Sequence, residues 1–266
     1  MAAVLPALVA AGIAGLATGM GALPLFFYDT LPRRAYDALL GACAGLMLSA
    51  ATLGLLGHAL EAVRDGGAVS VPQLCAVAFG FLTGAGLLFA LDRYLPHLHA
   101  GGHPHHAHEQ GKGDPDAHRQ AMMVIGAMTL HRIPEGFAIG AGFAHGGTSL
   151  GMLLTVAVCF QNACEGIAMS APLRKAGVAR GKAFALVTST GLALPIAALG
   201  GALLSVHPAT LPFLLALAAG ALIYVVSNEI IPESHSHGNE GTATLGLVLG
   251  FLAIVILQAL TGHGHA

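Results

Sequence analysis

The chain has 266 residues, 55% hydrophobic and only 9% charged, with a mean hydropathy of +0.75 and a formal net charge of −2. A soluble domain carries roughly 25% charged residues, so this composition excludes a large soluble domain and describes an all-α, polytopic membrane protein. No basic patch suggests a nucleic-acid partner, and the surroundings the sequence demands are a lipid bilayer.

Eight apolar segments are expected, each near the roughly 20 residues a bilayer requires. The first runs from about Leu5 to Tyr28, is rich in Ala and Gly, and is closed by Arg33 and Arg34. With no charged region before it and no small-residue cleavage site, it reads as a span and not a removable signal. The second runs from about Tyr36 to Val63 and contains Met47. The third, about Pro72 to Tyr94, includes the small-residue spacing Gly80-x-x-x-Gly84, which suits close helix packing. A polar stretch, Leu95 to Arg119, cannot span. The fourth and fifth segments cover about Gln120 to Ala144 and Ser149 to Leu173. The sixth, about Lys182 to Val206, is interrupted by Pro195. The seventh, about Leu211 to Pro232, carries Tyr224, Asn228 and Glu229 toward its end, and the eighth covers about Thr242 to Leu260. The whole is one membrane domain: spans one to three in 1–94, a loop in 95–119, and spans four to eight in 120–266.

Charge sets the expected orientation. Even-numbered spans start and odd-numbered spans end on one side, which holds Arg33, Arg34, Arg93, Lys112, Arg119, Arg174, Lys175, Arg180 and Lys182. The other side holds Arg64, and Arg132 lies within a span, which completes the 11 Lys and Arg residues. By the positive-inside rule the crowded side is cytoplasmic. Both termini then face outward and the loop faces the cytoplasm.

That loop contains His97, His99, His103, His105, His106, His108 and His118, seven of the 15 histidines. Imidazole binds zinc, copper, nickel and iron, and a His-rich flexible tract is a metal-binding composition. Weak, exchangeable binding is expected, because nothing there orders the ligands. The bland alternative is a solvated linker that tolerates histidine. His235 and His237 follow Glu233 on the same side, and His263 and His265 belong to the terminal tail.

Within the spans, His131-Arg132-Ile133-Pro134-Glu135-Gly136 and its near-echo Gln161-Asn162-Ala163-Cys164-Glu165-Gly166 stand out. In each, a polar side chain precedes a glutamate by four residues, so the two share a helix face. Carboxylates at bilayer depth are costly and mark an interior pathway. One imidazole and several oxygens suit a borderline divalent cation such as Zn²⁺. Pro134 removes a backbone hydrogen bond and crowds the Leu130 carbonyl, so a kink is expected beside the ligands. The competing reading is a set of interhelical hydrogen bonds without metal. The four cysteines (Cys43, Cys75, Cys159, Cys164) lie in apolar runs without C-x-x-C spacing and read as small buried residues.

The motif His131-x-x-Pro134-Glu135-Gly136, its repeat one span later, eight segments and a His-rich loop between spans three and four together resemble the ZIP divalent-metal transporters. Bacterial members, with the motif H-N-x-P-E-G, are the nearest likeness. The stretch Ile223-Tyr224-Val225-Val226-Ser227-Asn228-Glu229-Ile230-Ile231-Pro232-Glu233 also looks like the seventh span of that family. The resemblance covers nearly the whole chain. It implies a ZIP-like helix bundle that moves Zn²⁺, and in some members Fe²⁺, Mn²⁺ or Cd²⁺, into the cytoplasm. It implies metal ligands at His131, Glu135, Gln161 and Glu165, with Met47 as a soft ligand from span two, and pathway groups at Asn228 and Glu229. It further implies movement of one helix bundle against another, and a homodimer.

The departures are specific. A second metal site in the family uses the asparagine after the motif histidine, a polar or acidic residue in span five, and a glutamate before the span-six proline. Here those positions are Arg132, Asn162 and Leu194. Arginine keeps its proton, so Arg132 is expected to pair with Glu135, occupy the second ion's space and leave a mononuclear site. Cys164 stands where the family motif usually has proline, either as a soft ligand or as filler. A metal-responsive sensor or binding protein with little transport is the alternative. The chain has no H-E-x-x-H motif, so no enzyme and no catalytic cofactor are expected.

Overall fold

The computed structural model describes residues 3–27, 32–64, 70–94, 115–145, 147–205, 207 and 210–260. Among these residues every regular element is helical. Helix α1 is Val4–Ala22, followed by a 3₁₀ turn at Leu23–Phe26. Helix α2, Arg33–Ser49, passes through a π-helical segment at Ala50–Leu56 into α3, Gly57–Arg64. Then come α4 (Val71–Tyr94), α5 (Pro115–His145), α6 (Gly147–Lys175), α7 (Arg180–Thr190) and α8 (Ala193–Leu204). Helix α9, Leu211–Val225, continues through a second π-helical segment, Val226–Ile230, into the single turn α10, Ile231–Ser234, and α11 is Glu240–Leu260.

The helix ends follow local chemistry. Before α4, the Gln73 side chain reaches back to Ser70, its Oε1 accepting from the Ser70 N–H at 3.1 Å and from its hydroxyl at 2.7 Å, which satisfies a donor at the helix start. At the end of α6, Gly177 takes φ 79° and the Val178 N–H closes back on the Leu173 carbonyl, a left-handed cap that suits glycine. Pro195 breaks span six, but the break falls at Gly191–Leu192 and not at the proline. The pyrrolidine ring clashes with the carbonyl four residues earlier, which is that of Gly191. Pro134 lies inside α5, which stays continuous around it.

Two further expectations change. Helix α5 begins at Pro115, inside the stretch assigned to the loop. Seven helical stretches are long and apolar enough to cross a membrane among the described residues: Val4–Ala22, Arg33–Arg64, Val71–Arg93, Leu150–Arg174, Arg180–Leu204, Leu211–Ser234 and Glu240–Leu260. The long helix α5 is not one of the seven. The chain is an integral membrane protein, and its outward face matches: large apolar side chains stand exposed along α1, α4, α8 and α11, where a soluble protein would put charge.

The helices sort into two groups by how closely their backbones meet. In one, α1 packs on α6 and α8, and α5 packs on α6 and α8. In the other, α2 packs on α11, and α4 on α9. Glycines make the intimate contacts. A Cβ on Gly166 would run into the Thr18 backbone, and one on Gly136 into that of Leu194. In the second group, Gly45 meets Leu247 in the same way, and Gly84 meets Leu217. Among the described residues, every glycine whose added Cβ would strike another helix's backbone faces a helix of its own group. Between the groups, α2 lies against α6 and α5 against α9, through side chains such as Leu46, Ala50 and Ala157.

A buried polar cluster between the helix groups

The motif residues come together where the two groups meet. The four-residue spacing puts His131 and Glu135 on one face of α5, and Gln161 and Glu165 on one face of α6. The glycine after each glutamate lets the helix close on a neighbour without a side chain between: Gly136 on α8, Gly166 on α1. His131, Arg132, Glu135, Gln161, Asn162 and Glu165 are all no more than 2% exposed. Helices bearing this many polar groups hold them inward only if partners satisfy them.

Arg132 is the hub. It is wholly buried, donates to Asn162 Oδ1 through Nη1 and reaches Glu165 Oε2 through Nη2 at 3.2 Å. The expected pair with Glu135 Oε2 is present at 3.8 Å, and the carboxylate on the neighbouring helix lies nearer still. Asn162 in turn donates to the Ala14 carbonyl at 2.8 Å, which anchors the cluster to α1. Gln161 Nε2 donates to Glu135 Oε1 and, at 3.1 Å, to Glu165 Oε1. The two carboxylates thus share one amide and one guanidinium. Glu135 Oε2 accepts no hydrogen bond among the described residues.

His131 is turned across the group boundary. Its Nε2 lies 3.1 Å from Glu229 Oε1, in the π-helical segment after α9. Such segments insert one extra residue per turn and recur at functional sites. Asn228 beside it donates to Asp92 Oδ2 at 3.2 Å, and the Tyr224 hydroxyl donates to the same oxygen at 2.9 Å. Asp92 was missed from sequence, since one carboxylate near a span's end looks like an ordinary polar terminus. Both π-helical segments were missed too.

Met47 is fully buried in α2 within the main apolar core. Among the described residues no three His, Cys, Asp or Glu side chains form a ready ion cage: His131 is engaged with Glu229, and Arg132 and Gln161 lie between the two motif glutamates. His97, His99, His103, His105, His106 and His108 lie outside the described residues, as does the side chain of His118. The cysteines divide: Cys43 is buried, Cys159 and Cys164 are half-buried, and Cys75 is exposed, so only one is the buried filler expected of all four.

Comparison with known proteins gives one consistent answer. The family model for the ZIP zinc transporters matches residues 102–258. The zinc transporter GufA of Myxococcus xanthus is 37% identical over 257 residues, covering 96% of this chain and 98% of that protein. The zinc transporter ZIPB of Bordetella bronchiseptica is 36% identical over 258 residues, covering 96% and 81%. The human zinc transporter ZIP11 is 28% identical, covering 92% and 94%.

Proposed function

The chain belongs to the ZIP zinc transporter family, and from that premise we propose that it carries divalent transition-metal cations, Zn²⁺ first among them, into the cytoplasm through the cluster between its helix groups. His131, Glu135, Gln161 and Glu165 hold the ion, Met47 offers a soft sulfur, and Asn228 and Glu229 receive the ion on the way out. Helix α5 is the fourth span and brings the total to eight, both termini face outward, and the His-rich loop faces the cytoplasm. The relatives just described are all named as zinc transporters, and nothing favours a sensor.

The observation that carries this reading is an excess of negative charge around the cluster, with Glu135 and Glu165 buried and Glu229 partly exposed. Glu135, Glu165 and Glu229 against Arg132 give a formal sum of −3 + 1 = −2. One divalent cation neutralises that sum, and two would leave +2 in a low-dielectric interior, where unpaired charge costs several kcal/mol per ion, on the order of a lost buried salt bridge. Arg132 and Asn162 therefore fill the place of a second ion, and the site is mononuclear.

Release needs the His131–Glu229 contact to change. Because the glycine-locked contacts stay within each group, the groups behave as two stiff bodies, and the boundary between them is where sliding costs least. Zinc uptake into proteoliposomes by the native chain, His131→Ala and Glu165→Ala is the test. Native uptake with both variants near background is expected. Equal uptake by all three would remove these residues from the pathway.

A further inference from the structure

The boundary between the groups also carries a pair of thiols that ion transport does not need. Cys43 lies on α2, in one group, and Cys164 lies on α6, in the other. Both are free thiols, and Cys164 follows by one helical turn the residue, Gln161, whose carbonyl the Cys43 thiol reaches, so the two side chains lie at one level of the α2–α6 contact. The Cys43 thiol donates to the Gln161 carbonyl at 3.7 Å, so the pair sits directly beside a proposed ligand residue. The two differ in access: Cys43 is fully buried, whereas Cys164 is partly exposed. A half-buried cysteine beside a fully buried one has the asymmetry of a reactive cysteine and its resolving partner.

We infer that Cys43 and Cys164 form an oxidative lock, a reversible disulfide across the two helix groups that halts ion movement. The oxidant class is a peroxide. Cys164 sulfur attacks one oxygen of hydrogen peroxide, the O–O bond breaks, and Cys164 becomes a sulfenic acid as one water leaves. Cys43 sulfur then attacks the Cys164 sulfur, the S–O bond breaks, and a second water departs carrying the Cys43 proton. Two thiols and one peroxide thus give one disulfide and two waters. A disulfide holds its Cα atoms within about 4.4–6.8 Å, so the bond pins α2 to α6 and permits no sliding between them. Reduction by a dithiol frees both.

The halting of transport rests on the transport reading above, but formation of the bond does not, and the two are measured separately. Full-length protein in proteoliposomes is treated with hydrogen peroxide, and half of it is then reduced with dithiothreitol. Intact mass should fall by about 2 Da, for the loss of two hydrogens, and peptide mapping should join Cys43 to Cys164. Zinc uptake should be lost on oxidation and regained on reduction. The ratio of oxidised to reduced uptake should stay near unity in Cys43→Ser and in Cys164→Ser, and Cys75→Ser should behave as the native chain. Peroxide that modifies Cys75 or Cys159 while leaving Cys43 and Cys164 unjoined overturns the proposal. So does a joined pair that still transports at the reduced rate. Protein that joins the pair but shows no uptake even when reduced keeps the bond and counts against the transport reading instead.

Discussion

Arg132 on α5 and Glu165 on α6 form a fully buried ion pair at 3.2 Å, with a second carboxylate, Glu135, at 3.8 Å from the same guanidinium. A fixed cation beside both motif glutamates offsets part of their mutual repulsion when no ion is bound. It joins α5 to α6, within one group.

Removing Arg132 should therefore destabilise the protein and deepen its response to metal. Arg132→Ala leaves two buried carboxylates without their counter-charge, a loss of about 3–5 kcal/mol for a broken buried pair. Thermal unfolding in detergent should show a lower Tm for the variant. Added Zn²⁺ should raise that Tm by more than it raises the native one, because the ion replaces the missing charge. An equal zinc-induced rise in both would mean that Arg132 does not share the ion's site.

Restoring oxygen ligands should open a second seat. Leu194 is fully buried, and its backbone packs against Gly136, one residue from Glu135. With the seven loop histidines replaced by serine to silence that stretch, elemental analysis should find one Zn²⁺ per native chain. Arg132→Asn combined with Leu194→Glu should bind two. Two tightly held ions in the native background would refute a mononuclear site.

His131 and Glu229 should act as one unit. They meet at 3.1 Å across the boundary between the groups, and contacting residues give non-additive effects, with coupling of about 0.5–3 kcal/mol. Glu229→Gln and His131→Ala should each slow zinc uptake, and the double variant should be little slower than the worse single one. Simple multiplication of the two losses would show that the contact has no part in transport.

Two glycine substitutions should separate the stiff contacts from the sliding one. Gly166→Ala drives a methyl group into the Thr18 backbone within one group, and overpacking of this kind costs about 1–3 kcal/mol. Gly54→Ala, in the first π-helical segment, would meet only the end of Leu154 across the boundary, at an ordinary 3.5 Å. The first variant should lose thermal stability and the second should keep it. The reverse order would contradict the division into two groups.

Much of this was legible in one dimension. Apolar runs of membrane length and the scarcity of charge fix an all-helical membrane protein, since continuous apolar runs of about 20 residues suit spanning helices and not the shorter, alternating strands of a barrel. The four-residue spacing in each motif puts its histidine or glutamine beside its glutamate, because helix periodicity is local. Arg132 stood out as a cation where a ligand belongs. Pro195 announced a break, and only its position, four residues back at Gly191, needed the structure.

The remainder depended on which helix lies against which, and sequence spacing carries no information about that. Arg132 is three residues from Glu135, yet it reaches more closely to Glu165, because α6 approaches α5 at that level. His131 lies 98 residues from Glu229, and Cys43 still further along the chain from Cys164. Both pairs exist because glycines lock two helix groups internally and leave them to meet through side chains. From the sequence alone, four cysteines are four small apolar residues. Packing decides that Cys43 on α2 lies against the turn of α6 that leads to Cys164.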